Sequence, residues 1–256
     1  MRRLLLFLSV LLTLAGPVSC RAAVHAEADC NPLQALLFQD AVPSLRLVAP
    51  DAGRVHFVKS GVARPGCPSA APACRERGFV LPGDAVIVVG TGSGYACAIF
   101  ASPAPRAATT SGWLPEAALA TPAVVSDATP LATPDWRGDW RSGAERRIRI
   151  DATPQGGIAL AGEATFGAGD PDRVRRGAVN TGDFDATATP LGDQLAFLVG
   201  DEGKALPFDA ARAKAESLCG LRLWRLGPYL VATDNLQCGG MNVTFTGVYR
   251  RIGQPR

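Results

Sequence analysis

The sequence predicts an all-β chain of two domains, a small five-stranded barrel followed by a second eight-stranded antiparallel β-barrel or sandwich. Short β-branched or aromatic runs are broken throughout by Gly, Pro, Asn and Asp, and amphipathic stretches of helical period are few. The stretch ATPAVVSDATPLATP at 120–134 is rich in Ala, Thr and Pro and reads as a semi-extended linker. Six cysteines remain once Cys20 is set aside, an even number that suits disulfide staples on a loop-rich scaffold.

At the N-terminus, Arg2 and Arg3 precede an apolar run from Leu4 to Gly16, the order of a secretory signal and too short to span a bilayer stably. Val24-His25-Ala26 is a small-x-small cleavage point, which makes 1–26 a signal peptide and the product periplasmic or secreted. The alternative is Pro17-Val18-Ser19-Cys20, loosely similar to a lipoprotein box, with a lipid anchor on Cys20 holding the chain to the envelope. Either way no transmembrane segment is expected once the signal is removed.

Charge narrows the partners. The chain has 26 Lys and Arg against 23 Asp and Glu, and losing Arg2, Arg3 and Arg21 with the signal leaves 23 of each. A balanced chain has no long-range field for a phosphate backbone or anionic lipid, so nucleic acid is a poor partner.

Residues 27–41 form an N-terminal segment before the first domain, 42–120. There the strand signals are Leu45–Val48, Arg54–Lys59, Phe79–Leu81, Ala85–Val89, Tyr95–Phe100 and a last piece near Leu119. A long excursion, Ser60–Arg77, holds Cys67 and Cys74. Pro82-Gly83-Asp84 and Gly90–Gly94 are turn chemistry, and Gly112-Trp113-Leu114-Pro115 introduces a helical turn, with Trp113 as a structural aromatic.

This run of features, FVLPGDAVIVV, GYACAIF and GWLP followed by Ala117–Leu119, resembles a bacterial SH3-like domain. The resemblance implies a five-stranded barrel and a binding surface for a peptide or cell-wall component. It does not extend to proline-rich ligands. Gly94-Tyr95 stands where two tryptophans are usual and Ala117-Ala118 where Asn-Tyr is expected, which removes the flat aromatic ridges such a ligand needs.

The 121–134 linker leads into a second domain, 135–256, with strand signals at Asp139–Arg141, Arg147–Ala152, Ile158–Phe166, Ala178–Ala186, Gln194–Gly200, Leu221–Leu226, Tyr229–Thr233 and Asn242–Ile252. Gly138-Asp139-Trp140 resembles the G-x-W that opens lipocalin-like barrels, which implies an indole plugging one end with a basic residue of the last strand across it. In that strand, alternation puts Val243, Phe245, Gly247, Tyr249 and Arg251 on the inner face, so Arg251 is expected over Trp140 and Arg250 outside.

For the disulfides, Cys219–Cys238 is expected because the hairpin Leu221–Thr233 brings the sulfurs back together. Four remaining cysteines allow three pairings; Cys67–Cys74 is favoured because Pro65, Gly66 and Pro68 already bend the loop, which pairs Cys30 with Cys97.

No catalytic or metal site stands out, and no cofactor is expected. His56, the dependable imidazole of the mature chain, lies in the strand RVHFV beside Arg54 and Val58, a half-exposed position. Asp84, Asp139, Asp170, Asp172 and Asp201 mostly fall beside Gly or Pro, where short carboxylates complete turns. Gly90–Gly94 lacks the helix and Lys of a phosphate loop. Trp113, Trp136, Trp140 and Trp224 are read as sealing the barrel ends. The expectation is a non-catalytic exported envelope protein that binds a peptide, a cell-wall component or a protein; the alternative is a periplasmic inhibitor or immunity protein acting on a secreted hydrolase or toxin.

Overall fold

The computed structural model describes residues 29–102, 109–122 and 135–253. The signal at 1–26, the lipidation position Cys20 and all but the first two residues of the linker 121–134 lie outside the described residues.

The N-terminal segment forms a helix, α1 (Pro32–Phe38), which the sequence reading left without structure. Pro32 opens its first turn, and the Asn31 side chain accepts from the Gln34 N–H at 3.2 Å. Seven residues, about two turns, are too few to show a hydrophobic period, so its signal is the cap and not the pattern.

Seven strands follow: β1 (Ser44–Val48), β2 (Val55–Val58), β3 (Arg75–Val80), β4 (Ala85–Gly92), β5 (Tyr95–Ala101), β6 (Thr109–Pro115) and β7 (Leu119–Ala120). They make one curled antiparallel sheet in the order β3-β2-β6-β5-β4-β1-β7. Two strands correct the five-stranded expectation. β3 begins at Arg75, inside the supposed excursion, and GWLP ends strand β6, with the helical turn at Glu116–Ala118 after it. The polar start of β6 carries no apolar alternation; its pairing with β5 from Tyr95↔Pro115 to Ala101↔Thr109 makes it a strand. Ser93 and Gly94, both at positive φ (52° and 80°), form the two-residue β4–β5 hairpin loop.

The second sheet has nine strands: β8 (Gly138–Ser142), β9 (Arg146–Ala152), β10 (Ile158–Phe166), β11 (Asn180–Ala188), β12 (Gln194–Val199), β13 (Ala205–Pro207), β14 (Gly220–Leu226), β15 (Tyr229–Asp234) and β16 (Gly247–Ile252). Their order is β11-β10-β9-β8-β16-β15-β14-β12-β13, a nearly closed barrel with β13 as the strand beyond the eight expected. The edges approach at a Thr187↔Lys204 bridge. On the same edge the turn after Cys238 lies against β11, where Gly240 N–H donates to Thr181 O at 3.0 Å. A Cβ on Gly182 would stand 2.3 Å from Cys238 O, so this contact requires glycine. Short helices α2 (Pro171–Arg175) and α3 (Ala210–Glu216) lie on the connections.

The last strand starts at Gly247, not Asn242. Residues 241–246 instead form a turn and an extended stretch tied to Asp234. The Thr246 hydroxyl donates to Asp234 Oδ1 at 2.8 Å, the Thr244 hydroxyl donates to the same oxygen, and Asp234 N–H donates to Thr246 Oγ1 at 3.1 Å. The alternation still holds for what points inward: Val243, Phe245 and Tyr249 are buried in the barrel interior with Leu221, Leu223 and Leu230.

The outward positions are not solvated. Trp224, Tyr229, Val231 and Val248, outside the barrel, share one buried apolar layer with Ala35 and Leu36 of α1 and with Ile87, Val89, Ile99 and Ala101 of the first sheet. The opposite face of the first sheet is filled by Val48, Phe57, Val80, Val86, Val88 and Leu114. Strands β4 and β15 are thus covered on both faces, which is why AVIVV and YLVAT show no polar alternation. Polar ties cross the layer. Tyr229 hydroxyl donates to Ala101 O at 3.0 Å, and Thr233 Oγ1 to Leu36 O at 3.1 Å.

Three disulfides close the described chain: Cys30–Cys97, Cys67–Cys74 and Cys219–Cys238, with Cα separations of 5.4, 5.7 and 4.6 Å. The first pins Cys30, the residue before the α1 cap Asn31, to β5.

Because one apolar layer joins the two sheets, unfolding of the oxidised protein should give a single calorimetric transition, and two separated transitions would contradict the shared layer. Tyr229→Phe should lower stability by about 1 kcal/mol through the lost hydroxyl bond. Burial pushes the Tyr229 hydroxyl above its ordinary range, and Tyr249, fully enclosed, in the same direction. The folded state therefore holds these protons longer than the unfolded one. Stability is full below about pH 10 and falls as pH rises beyond it. The fall should be shallower in Tyr229→Phe, measured by urea titration from pH 8 to 11.

Removing Cys30–Cys97, which closes 67 residues of separation, should cost about 4 kcal/mol, against about 2.5 kcal/mol for Cys67–Cys74, with its separation of 7. Urea midpoints of the two double Cys→Ala variants give the order.

Candidate functional site

The residues that sequence reading singled out fall mainly into structural roles. His56 Nδ1 lies 3.0 Å from Glu76 O, and the ring is tilted against Phe79 at 5.7 Å between centroids. A register shift between His56 and Val58 buries both Phe57 and Val58, which corrects the placement of Val58 on the half-exposed face. Asp84 Oδ2 accepts from Leu81 N–H at 2.7 Å, and Asp170 caps α2. Asp139 pairs with Arg147 at 2.8 Å, and Asp172 with Arg175. Among the described residues no group of three His, Cys, Asp or Glu side chains is placed to hold a metal ion.

The tryptophans divide. Trp136 and Trp140 plug the barrel, whereas Trp224 and Trp113 belong to the layer between the sheets and not to a barrel end. Trp140 is 1% exposed, and its Nε1–H donates to Trp136 O at 3.0 Å. Arg251 is its register partner across β16 and β8, with Cζ 4.8 Å from the ring centroid. Arg225 adds a second guanidinium, with Cζ at 4.7 Å, that the sequence did not reveal. Burial, and then the charge of Arg251, hold the Arg225 pKa below the usual guanidinium range. The Asp135 carbonyl accepts from both arginines, at 2.6 Å from Arg251 and 3.1 Å from Arg225, and its carboxylate takes Arg251 at 3.2 Å. The G-x-W glycine has a physical cause here. Gly138 has φ +131°, and a Cβ on it would meet the Arg251 stem at 3.0 Å.

Open space lies elsewhere, on the outer face of β12 and β14. Two lobes lie on either side of Arg222, which lines both, one of about 270 Å³ against β14 and β15 and one of about 310 Å³ against β12 and β14. The first is bounded by Leu37 of the N-terminal segment, Phe208, and Ala213 and Lys214 of α3. The second is bounded by Leu191, Gln194, Ala196 and Trp224. The strand register explains the arrangement. Ala196 stands opposite Arg222 and Gln194 opposite Trp224, so a small and a polar residue face two large ones. On its other side α3 is fixed by Asp209, which accepts from the Ala211 and Arg212 N–H groups at 2.9 and 3.0 Å.

Arg222 sits at the centre of this groove. Its guanidinium stacks over Phe208, with Cζ 5.2 Å from the ring centroid, and donates to the Asp40 carboxylate. The Arg222 side chain is 29% exposed and that of Asp40 80%. Asp234 also lines the first lobe; its Oδ1 is taken by two threonine hydroxyls, and Oδ2 is buried without a partner. The groove offers apolar walls with a cation between them. An apolar wall beside a fixed guanidinium is an arrangement that suits binding.

Arg222, Phe208, Asp40 and Asp234 were not singled out from the sequence. The available signal was the outward set Arg222, Trp224 and Leu226 on β14, too apolar for a solvated barrel face.

Arg251→Ala should lower stability by about 1–2 kcal/mol and red-shift tryptophan emission as the Trp140 ring is uncovered. Gly138→Ala should act in the same direction by displacing the Arg251 stem; urea denaturation followed by fluorescence reads both. Compared with known proteins, the chain matches no protein-family model, no curated protein and no solved structure.

Proposed function

We propose that this is a non-catalytic, exported binding protein of the cell envelope, whose SH3-like and barrel domains act as one rigid body on a peptide, cell-wall component or protein. The observation that carries the reading is the two-lobed groove around Arg222, apolar and aromatic on its walls, on a scaffold fixed by three disulfides. Export is supported by those disulfides and by the charged-then-apolar N-terminus; among the described residues no helix is long and apolar enough to cross a membrane. Leu37 of α1 lines the first lobe, so recognition draws on the N-terminal segment as well as on the barrel.

The alternative, an inhibitor or immunity protein acting on a secreted enzyme, has one observation in its favour. Leu191 is 87% exposed on a turn closed by its own N–H to Gln194 O at 2.8 Å, a rigid apolar tip at the rim of the second lobe.

The test is sedimentation of the oxidised mature protein with purified peptidoglycan, with in-cell crosslinking from the groove rim in parallel. The binding reading expects retention on the cell wall or one dominant crosslinked partner, either lost in Phe208→Ala. Release of soluble cell-wall fragments by the purified protein would instead identify an enzyme.

A further inference from the structure

We propose that the groove binds the free carboxylate of a peptide, with Arg222 as its anchor, and that Asp40 is an internal stand-in for that carboxylate. The proposal deepens the binding reading above and rests on it.

Among the described residues, Lys214, Arg222 and Asp234 are the charged side chains lining the two lobes. Asp234 is 5% exposed and committed through Oδ1 to Thr244 and Thr246. The lining therefore presents cations to a ligand, with Arg222 between the lobes. A guanidinium stacked on an aromatic ring keeps its N–H fork directed outward, the geometry that takes a carboxylate in two parallel bonds.

That fork is already engaged by a carboxylate from another part of the chain. Asp40 follows α1, more than 180 positions before Arg222, and its backbone has φ +49°, a left-handed turn conformation in which Asp is enriched. Its side chain is 80% exposed, so on release it returns to water with little loss. Exposed ion pairs contribute little net stability, and a ligand carboxylate flanked by apolar groups can replace it. The two lobes choose the ligand class. Each lies at the small end of cavities that take organic ligands, and together they provide an apolar site on either side of the cation. A peptide terminus with two apolar side chains fills both; a single alkyl chain fills one.

The experiment titrates the oxidised protein, by calorimetry and amide NMR, with N-acetyl-Leu-Phe bearing a free carboxylate, the same dipeptide as its carboxamide, and octanoate. The free acid should bind about tenfold tighter than the carboxamide, the factor expected of one charge-assisted pair. Arg222→Gln should erase that difference. Asp40→Asn, at an exposed position that leaves the fold intact, should tighten the free acid about threefold to tenfold and leave the carboxamide unchanged. Arg149→Gln, on the far side of the barrel, is the control and should change nothing.

Equal binding of acid and carboxamide, weaker acid binding in Asp40→Asn, or no binding of either probe to wild type and Asp40→Asn would overturn the proposal. Octanoate binding as tight as the free acid would overturn the peptide assignment. Peptidoglycan sedimentation of the same samples separates the two levels: retention without acid discrimination defeats the carboxylate anchor alone, while fragment release defeats the binding reading itself.

Discussion

The apolar layer between the two sheets is the constraint from which the rest of the architecture follows. Ile87, Val89 and Ile99 on one side meet Trp224, Val231 and Val248 on the other, with Leu36 of α1 among them. Burying a large apolar side chain is worth about 1.5–3 kcal/mol before ordering costs, so several such residues outweigh what a short linker could contribute to domain placement. An exposed face of this composition would be an aggregation hazard on either domain alone. The layer also dictates its own polar contacts. Tyr229 enters it with a hydroxyl that must find a partner, and the carbonyl of Ala101 supplies one.

With one flank of the barrel covered, its two ends are closed by different chemistry. At the Trp140 end the plug is aromatic, covered by Arg225 and Arg251; the Asp135 carboxylate pairs with Arg251, and the backbone carbonyls of Asp135, Gly227 and Tyr229 accept from the two guanidinium groups. Next to α1 the closure is polar. Asp234 gathers the hydroxyls of Thr244 and Thr246, and Thr233 reaches the carbonyl of Leu36. Because Asp234 ends β15 and the threonines precede β16, this network replaces the ladder bonds that residues 241–246 would have made as a strand.

Much of this was legible in the sequence, and the gaps have physical causes. Alternation identified the inward set Val243, Phe245 and Tyr249 and placed Arg251 over Trp140, because a period of two fixes the face even where the strand boundary is wrong. The strand start was misread because Thr244 and Thr246 have high strand propensity, while their hydroxyls are bonded to a carboxylate ten and twelve positions upstream. The layer between sheets was encoded in the unbroken runs AVIVV and YLVAT, but such runs look alike whether the second cover is a helix, a sheet or another domain. The groove was least legible. Its walls come from α1, α3, β12, β14 and β15, and no local pattern announces that Phe208 will lie under Arg222.

Three arginines near the groove and the adjoining barrel end show how one side chain serves structure or recognition according to its partners. Arg225 and Arg251 are fixed by backbone carbonyls, acceptors that cannot move away, and both lie against a buried indole. Displacing either would strand a desolvated carbonyl and uncover Trp140. Arg222 instead is held by an exposed carboxylate on a loop and by the face of Phe208. Losing Asp40 strands nothing, since water resolvates it at once. The energetic difference lies in the partner's burial and not in the guanidinium. A cation whose partner is exchangeable, set between two apolar lobes, is therefore where this scaffold can exchange an internal contact for an external one without disturbing its core.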